Sequence, residues 1–351
     1  MKLNYRPEID GLRAIAVIAV ILYHAQISKF FYGGYVGVDI FFVISGYLIT
    51  SIIFKELLNT NSFNFKYFFE RRIRRIIPVL LIMKLAVLPF ALVLLPPSRL
   101  IEFSISALYS LGFVSNIYFY YTGLQYEALE GLFVPLLHTW SLSVEEQFYL
   151  LFPVLFFIIF RYLNNKIFLF LSSIILISLV LSEIYIIEDK SFVFYSTFTR
   201  VWELIIGSLL AYFEYRRPER SNNNKILNSA MPILGIILIL LTIFLFDDKT
   251  RHPSILTLIP VIGTAIIIWF ANRDNLITKI LSNKYLVFIG LISYSLYIWH
   301  YPIFAFAKIS GWTSGSFVAK IILGFITISI SIISYFFIKN IFRNKKFRFK
   351  Y

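Results

Sequence analysis

Apolar runs long enough to cross a lipid bilayer recur along the whole sequence, and the polar segments between them are short. They fall near 11–28, 35–55, 76–96, 100–119, 142–161, 167–187, 196–213, 229–246, 254–271, 284–308 and 317–339. The hydrocarbon core of a bilayer is about 30 Å thick and takes about 20 apolar residues of helix to span. Inside lipid every backbone polar group must be satisfied internally, so only helices and closed barrels qualify. The runs lack the short alternating pattern of a barrel strand. The expected fold is therefore all-α, a polytopic membrane bundle. With 59% hydrophobic residues and no polar block of domain size, 1–351 reads as one transmembrane domain.

The formal charge of +14 would suit nucleic acid, but its distribution argues against that. Basic residues cluster at Lys55–Arg75, Arg161–Lys166, Arg216–Lys225, Arg273–Lys284 and Lys339–Lys350, between apolar runs. That is the pattern of cytoplasmic loops. Placing all five clusters inside makes both termini cytoplasmic and requires an even number of crossings. One of 76–96 and 100–119 then fails to cross. The second is the more polar, with Glu102, several serines, Asn116 and a tyrosine run. About ten transmembrane helices follow. Having no cysteine, the chain has no disulfide, thiolate metal site or cysteine nucleophile. Its histidines, His24, His138, His252 and His300, show no ligand spacing, so no metal is expected. The basic start followed by an apolar run resembles a secretory leader. No A-x-A-like site follows, and Asp10, Arg13 and His24 are unsuited to a discarded segment, so the first helix is expected to stay.

Ionisable residues inside a membrane carry a penalty and usually a function. Arg13 and His24 bracket the first apolar run, and on a helix their eleven steps span about 16 Å. Arg13 falls at the inner end and His24 in the outer half. Asp39 sits near the outer end of the second helix, Glu145 and Glu146 near the outer end of another. Arg200 and Glu203 are three apart and close enough to pair, either as a neutralised internal pair or as part of a site. His300 lies in an outer half, flanked by Trp299 and Tyr301 of an interfacial aromatic belt. His138 and His252 are expected in exposed loops. Ser141 suits a helix N-cap. Arg71, Arg72, Arg74 and Arg75 precede a helix expected to begin at Pro78. They either set topology and attract anionic lipid or grip a polyphosphate, with Arg72 and Arg75 on one face.

In this order the motifs resemble the acyltransferase-3 membrane enzymes. The blocks are Arg6-Pro-Glu-Ile-Asp-Gly-Leu-Arg13 with His24, Gly37-Val-Asp-Ile-Phe-Phe-Val-Ile-Ser-Gly46, Arg71-Arg-x-x-Arg75-Ile-x-Pro78, Trp140-Ser-Leu-Ser-Val-Glu-Glu-Gln-Phe-Tyr149, Arg200-x-Trp-Glu-Leu204 and Ser293-Tyr-Ser-Leu-Tyr-Ile-Trp-His300. The resemblance implies an O-acyltransferase of the bacterial cytoplasmic membrane. It implies acetyl-CoA as donor from the cytoplasm and a hydroxyl of a lipopolysaccharide, capsule or exopolysaccharide as acceptor outside. Arg13 and His24 match an Arg-x10-His motif expected to be essential, and Arg72 and Arg75 an Arg-x-x-Arg motif expected to contact the donor, with Arg71 and Arg74 beside it. Many relatives add an SGNH-type domain after a further helix; stopping at Tyr351, this chain is expected to act alone.

The residues accommodate that chemistry. Polyanionic CoA cannot cross lipid, so its nucleotide belongs on the inner arginines while its pantetheine arm reaches towards His24. His24 is the expected general base for the sugar hydroxyl, oriented by Asp39 or Glu145. Arg200, Glu203, His300, Glu146 and Trp140 are expected to line the acceptor cleft. Direct transfer and an acyl-histidine intermediate both remain open. The rival class is a transporter or exporter using these charges as a path, although no inverted repeat of broken helices supports it.

Overall fold

A computed structural model of the chain describes residues 5–123, 131–216, 225–272, 274–313 and 316–342. The basic clusters Arg216–Lys225 and Lys339–Lys350, with Arg273, fall partly or wholly outside them. Among the described residues there is no strand. The helices are α1 (Pro7–His24), α2 (Gly37–Thr60), α3 (Phe65–Leu94), α4 (Pro97–Leu111), α5 (Ser115–Gly123), α6 (Thr139–Tyr162) and α7 (Ile167–Glu188). They continue as α8 (Lys190–Tyr195), α9 (Thr197–Arg216), α10 (Lys225–Leu245), α11 (Leu258–Phe270), α12 (Leu276–Leu281), α13 (Lys284–Ile309) and α14 (Phe317–Phe342).

Among the described residues seven helices are long and apolar enough to cross a membrane: α2 with the 3-10 turn before it, α3, α6, α7, α10, α13 and α14. Their outer surfaces are apolar. Only 22% of the α7 window is buried, and Leu169, Leu176, Ile177 and Ile187 are exposed along it. A water-soluble protein would bury such a surface; lipid solvates it. The segment expected not to cross is broken in two. α4 has 15 residues, about 22 Å of helix, and Phe113 at φ +54° ends the run before α5. The expected start of a helix at Pro78 is corrected. α3 begins at Phe65, where the Asn64 side chain accepts from Tyr67 N at 2.9 Å, and Pro78 lies inside it. The arginine cluster is therefore helical. Likewise α6 begins at Thr139, so Ser141 lies inside the helix rather than capping it.

The chain divides into two compact units, residues 1–63 with 144–291 and residues 64–143 with 292–351. In the first, α2 and α9 approach backbone to backbone. A Cβ on Gly46 would stand 1.7 Å from Leu204 O, and one on Gly207 2.0 Å from Val43 O. Around this contact Ile9, Leu12, Ile40, Val43, Ile44, Trp202, Ile239 and Val261 form a continuous apolar core. The close approach brings the start of α2 and the start of α9 within reach of each other's polar side chains. In the second unit the Phe306 ring of α13 packs on Phe90 of α3 and Phe103 of α4. Tyr294 donates to Ile76 O at 3.0 Å, and buried Lys84 donates to Ala107 O at 2.8 Å.

Candidate functional site

α1 carries its two polar groups at different depths. Arg13 donates to Asp10 Oδ1 at 3.1 Å, and Asp10 Oδ2 accepts from Tyr5 at 2.9 Å. The same end of the unit holds a network the sequence did not reveal. Arg6 reaches Glu8, the Tyr47 hydroxyl and Ile268 O, each at 2.6 Å, and Tyr47 donates to Glu214 at 2.5 Å. His24 is the last residue of α1 and is half-buried. An imidazole there stands at the negative end of the helix dipole. Its ring lies 5.0 Å from that of Tyr23.

A fully buried ion-pair cluster joins α2 and α9. Arg200 Nη2 donates to Asp39 Oδ1 at 2.9 Å, and Arg200 Nη1 lies 3.2 Å from Glu203 Oε1, with all three side chains 0% exposed. Local structure fixes the arginine. Thr199 donates to Val193 O and Ser196 O at the start of α9, and Ser178 of α7 donates to Phe198 O at 2.6 Å. The rings of Phe42 and Phe194 cover the guanidinium at 5.4 and 5.9 Å, a cation–π arrangement that replaces lost hydration. A buried charge needs such partners, because desolvating it alone costs several kcal/mol, on the order of the stability of a domain.

The second oxygen of Asp39 meets a residue expected to be exposed. His252 Nε2 lies 2.8 Å from Asp39 Oδ2, and its side chain is only 6% exposed. A carboxylate only accepts, so Nε2 carries the proton and donates. Burial pushes the His252 imidazole below its ordinary value, against the opposing pull of Asp39. The expectation for His138 is corrected too. It is 2% exposed in the second unit, with its ring stacked on Tyr301 at 5.1 Å and 5.8 Å from His300. Loop position predicted solvent for both histidines. Packing against a neighbouring element overrode it.

Asp39 is thus committed to Arg200 and His252. Glu145 accepts from Ser45 at 3.1 Å and from Tyr149 at 3.3 Å, and Glu146 is half-buried nearby in α6. Arg200 and Glu203 are interior groups rather than the lining of an open cleft. His300, in the second unit, is wholly buried and donates from Nδ1 to Tyr297 O at 2.7 Å. In that unit Trp140 is 6% exposed, and Ser141 shares a 2.5 Å hydrogen bond with the Tyr297 hydroxyl. The arginines form one turn of α3. Arg71 stacks on Tyr67, Arg72 lies over Phe68, and Arg74 pairs with Glu70 at 2.6 Å. Arg72 and Arg75 share a face and are half-buried. No spacing in the sequence links His252 to Asp39, which precedes it by 213 residues.

Apolar helices with lipid-facing surfaces and an interior cluster of arginine, carboxylate and imidazole define a multi-pass helical membrane protein. The acyltransferase-3 sequence model, described as an acyltransferase domain, matches residues 6–336, and the chain belongs to that family. The O-acetyltransferase OatA of Staphylococcus aureus is 36% identical over 361 aligned positions, covering 98% of this chain and 58% of the relative. Two putative O-acetyltransferases of Staphylococcus aureus, SAS0844 of strain MSSA476 and SAR0937 of strain MRSA252, are 35% identical over 357 positions with the same coverage. The chain therefore spans 58% of the length of these curated relatives. No solved structure matches it.

Proposed function

We propose that this chain is a membrane O-acyltransferase. It moves an acyl group, most simply acetyl, from cytoplasmic acyl-CoA to a hydroxyl of a cell-surface glycan. The observation that carries the reading is His24, an imidazole ending α1 about 16 Å along the helix from Arg13, in a family of acyltransferases. Family membership over 6–336 and the names of the relatives support the reaction type. Ten crossings with both termini in the cytoplasm fit the seven apolar helices together with α1, α9 and α11, in the cytoplasmic membrane of a bacterium.

In this reading Arg72 and Arg75, on one face of α3, hold the CoA phosphates by bidentate charge-assisted bonds. Arg71 and Arg74 supply flanking charge. The pantetheine arm lies alongside the Arg13–His24 interval. His24 takes the proton as the sugar oxygen attacks the thioester carbon. The oxyanion collapses, the C–S bond breaks, and the imidazolium returns the proton to the departing thiolate. The products are CoA thiol and an O-acyl ester. Asp39, Arg200 and Glu203 hold the surrounding frame with Glu145 and Glu146, while His300 and Trp140 belong to the acceptor side.

The test compares ester-linked acetate released by mild alkali from surface glycans of cells lacking the gene and cells complemented with wild type or His24→Ala. Acetate is restored by the wild type only, at equal membrane levels of both proteins. An unchanged acetate content in every surface glycan, with or without the gene, would defeat the proposal.

A further inference from the structure

The segment between α10 and the 3-10 turn Ile255–Thr257 turns its histidine inwards, although connecting segments normally send polar side chains into solvent. Both sides of His252 are anchored. Upstream, the Asp247 carboxylate accepts from Lys249 N, Thr250 N and Thr250 Oγ1, each at 3.0 Å. Downstream, Ser254 and Thr257 close a capping box. Two residues of α7 hold the same stretch: Ser182 donates to Pro253 O at 2.9 Å, and Glu183 accepts from Ile255 N. A loop held at this many points can aim a side chain.

His252 reaches Asp39 through Nε2, and its ring packs on Tyr35 at 4.6 Å between centroids. Tyr35 meets Tyr23 edge-on at 5.6 Å, and Tyr23 meets His24 at 5.0 Å. The Tyr35 hydroxyl donates back to Asp247 O at 3.3 Å, tying the stack to the same loop. The groups facing His252 are Asp39 from α2, Arg200 from α9, Tyr35 from the turn before α2, and Phe194 from α8 at 6.3 Å. Behind Arg200 stands Glu203. Each contact in the series joins a residue of one element to a residue of another or to its chain neighbour. Displacing His252 therefore leaves Tyr35 without its backing, and Tyr35 is the packing partner of the tyrosine next to His24.

We propose that His252 is a positioning residue for His24, acting through the ring series Tyr35–Tyr23 from its anchorage on Asp39. The inference rests on the reading of His24 as the base of an acyl transfer. His252 need not touch either substrate. Its contribution is geometric, and misplacement of a reacting group by about 1 Å lowers rates on the order of 100-fold.

The experiment uses the full chain in membrane vesicles with His252→Ala and His252→Gln. Glutamine places an N–H near the Nε2 position and keeps the bond to Asp39. The first readout is the rate at which diethylpyrocarbonate modifies each histidine, followed peptide by peptide by mass spectrometry. In His252→Ala the rate at His24 changes severalfold, while His138 and His300, in the other compact unit, keep theirs; His252→Gln restores the wild-type rate. The second readout is alkali-released glycan acetate per inserted protein, which falls about 10- to 100-fold in the alanine variant and recovers in the glutamine variant. An unchanged His24 rate in His252→Ala overturns the positioning role whatever the acetate shows. A wild type that transfers no acetyl group defeats the transferase reading instead, and the reactivity comparison still decides the geometry. Should the alanine variant fail to insert, His252→Asn takes its place. Its amide reaches the Nδ1 rather than the Nε2 position, so it must perturb His24 where glutamine does not.

Discussion

Asp39 and Arg200, 161 residues apart, meet at 2.9 Å with neither side chain exposed. Their pairing joins the first turn of α2 to the start of α9, and Glu203 and His252 complete the cluster. Neither charge has water to fall back on, so each depends on the partners this cluster supplies.

Removing the cation alone should be severe. Arg200→Leu leaves two carboxylates in the interior and is expected to lower stability by about 3–5 kcal/mol. Thermal unfolding in detergent, followed by loss of a monodisperse peak, measures it. A melting temperature equal to wild type would mean the pair is not structural.

The α2–α9 approach depends on two positions without a side chain. Gly46→Ala meets Leu204 O at 1.7 Å and Gly207→Ala meets Val43 O at 2.0 Å, backbone contacts that cannot rotate away. Both variants should lose folded yield. Gly324→Ala is the control, since nothing lies within 4 Å of a Cβ there; it should be neutral or gain up to about 1 kcal/mol from helix propensity.

His252 predicts a pH dependence. Its imidazole sits below its ordinary value in the fold because burial opposes charging, while in the unfolded chain it returns to about 6.5. Below that value the unfolded state binds more protons, so its contribution to stability is present above about pH 6.5 and lost as pH falls through the lower folded value. Melting temperatures between pH 7.5 and pH 5 should fall, and His252→Gln should flatten the decline. Parallel declines in the two proteins would assign the effect elsewhere.

If Arg72 and Arg75 hold the donor phosphates as proposed, substituting them separates binding from chemistry. Alanine at either position should raise the KM for acetyl-CoA about 10-fold or more, since each charge-assisted bond contributes about 1.5–3 kcal/mol, with a smaller effect on kcat. Lysine should recover only part, because it cannot form the planar fork. Initial rates at varied acetyl-CoA in inside-out vesicles give both constants.

Spacing along a single helix is legible in the sequence. Arg200 and Glu203 three residues apart do pair, and Arg72 and Arg75 share a turn of helix. These outcomes follow from spacing along one element. Errors arose where a boundary or a loop depended on its neighbours. α3 starts at the Asn64 cap and continues through Pro78, which bilayer helices accommodate. Loop position predicts solvent for His252 and His138, and contacts with Asp39 and Tyr301 bury them.

The sequence alone determined that this is a helical membrane protein, where its apolar helices run, and that Arg13 and His24 share the first of them, because helix period and transfer free energy act residue by residue. Which charges meet is set by packing between helices. Asp39 has no local partner, and its ligands Arg200 and His252 arrive from α9 and from a loop anchored on α7. That choice depends on how closely helices approach, which Gly46 and Gly207 permit at one place between α2 and α9. Contacts between elements distant in sequence have no periodicity to announce them.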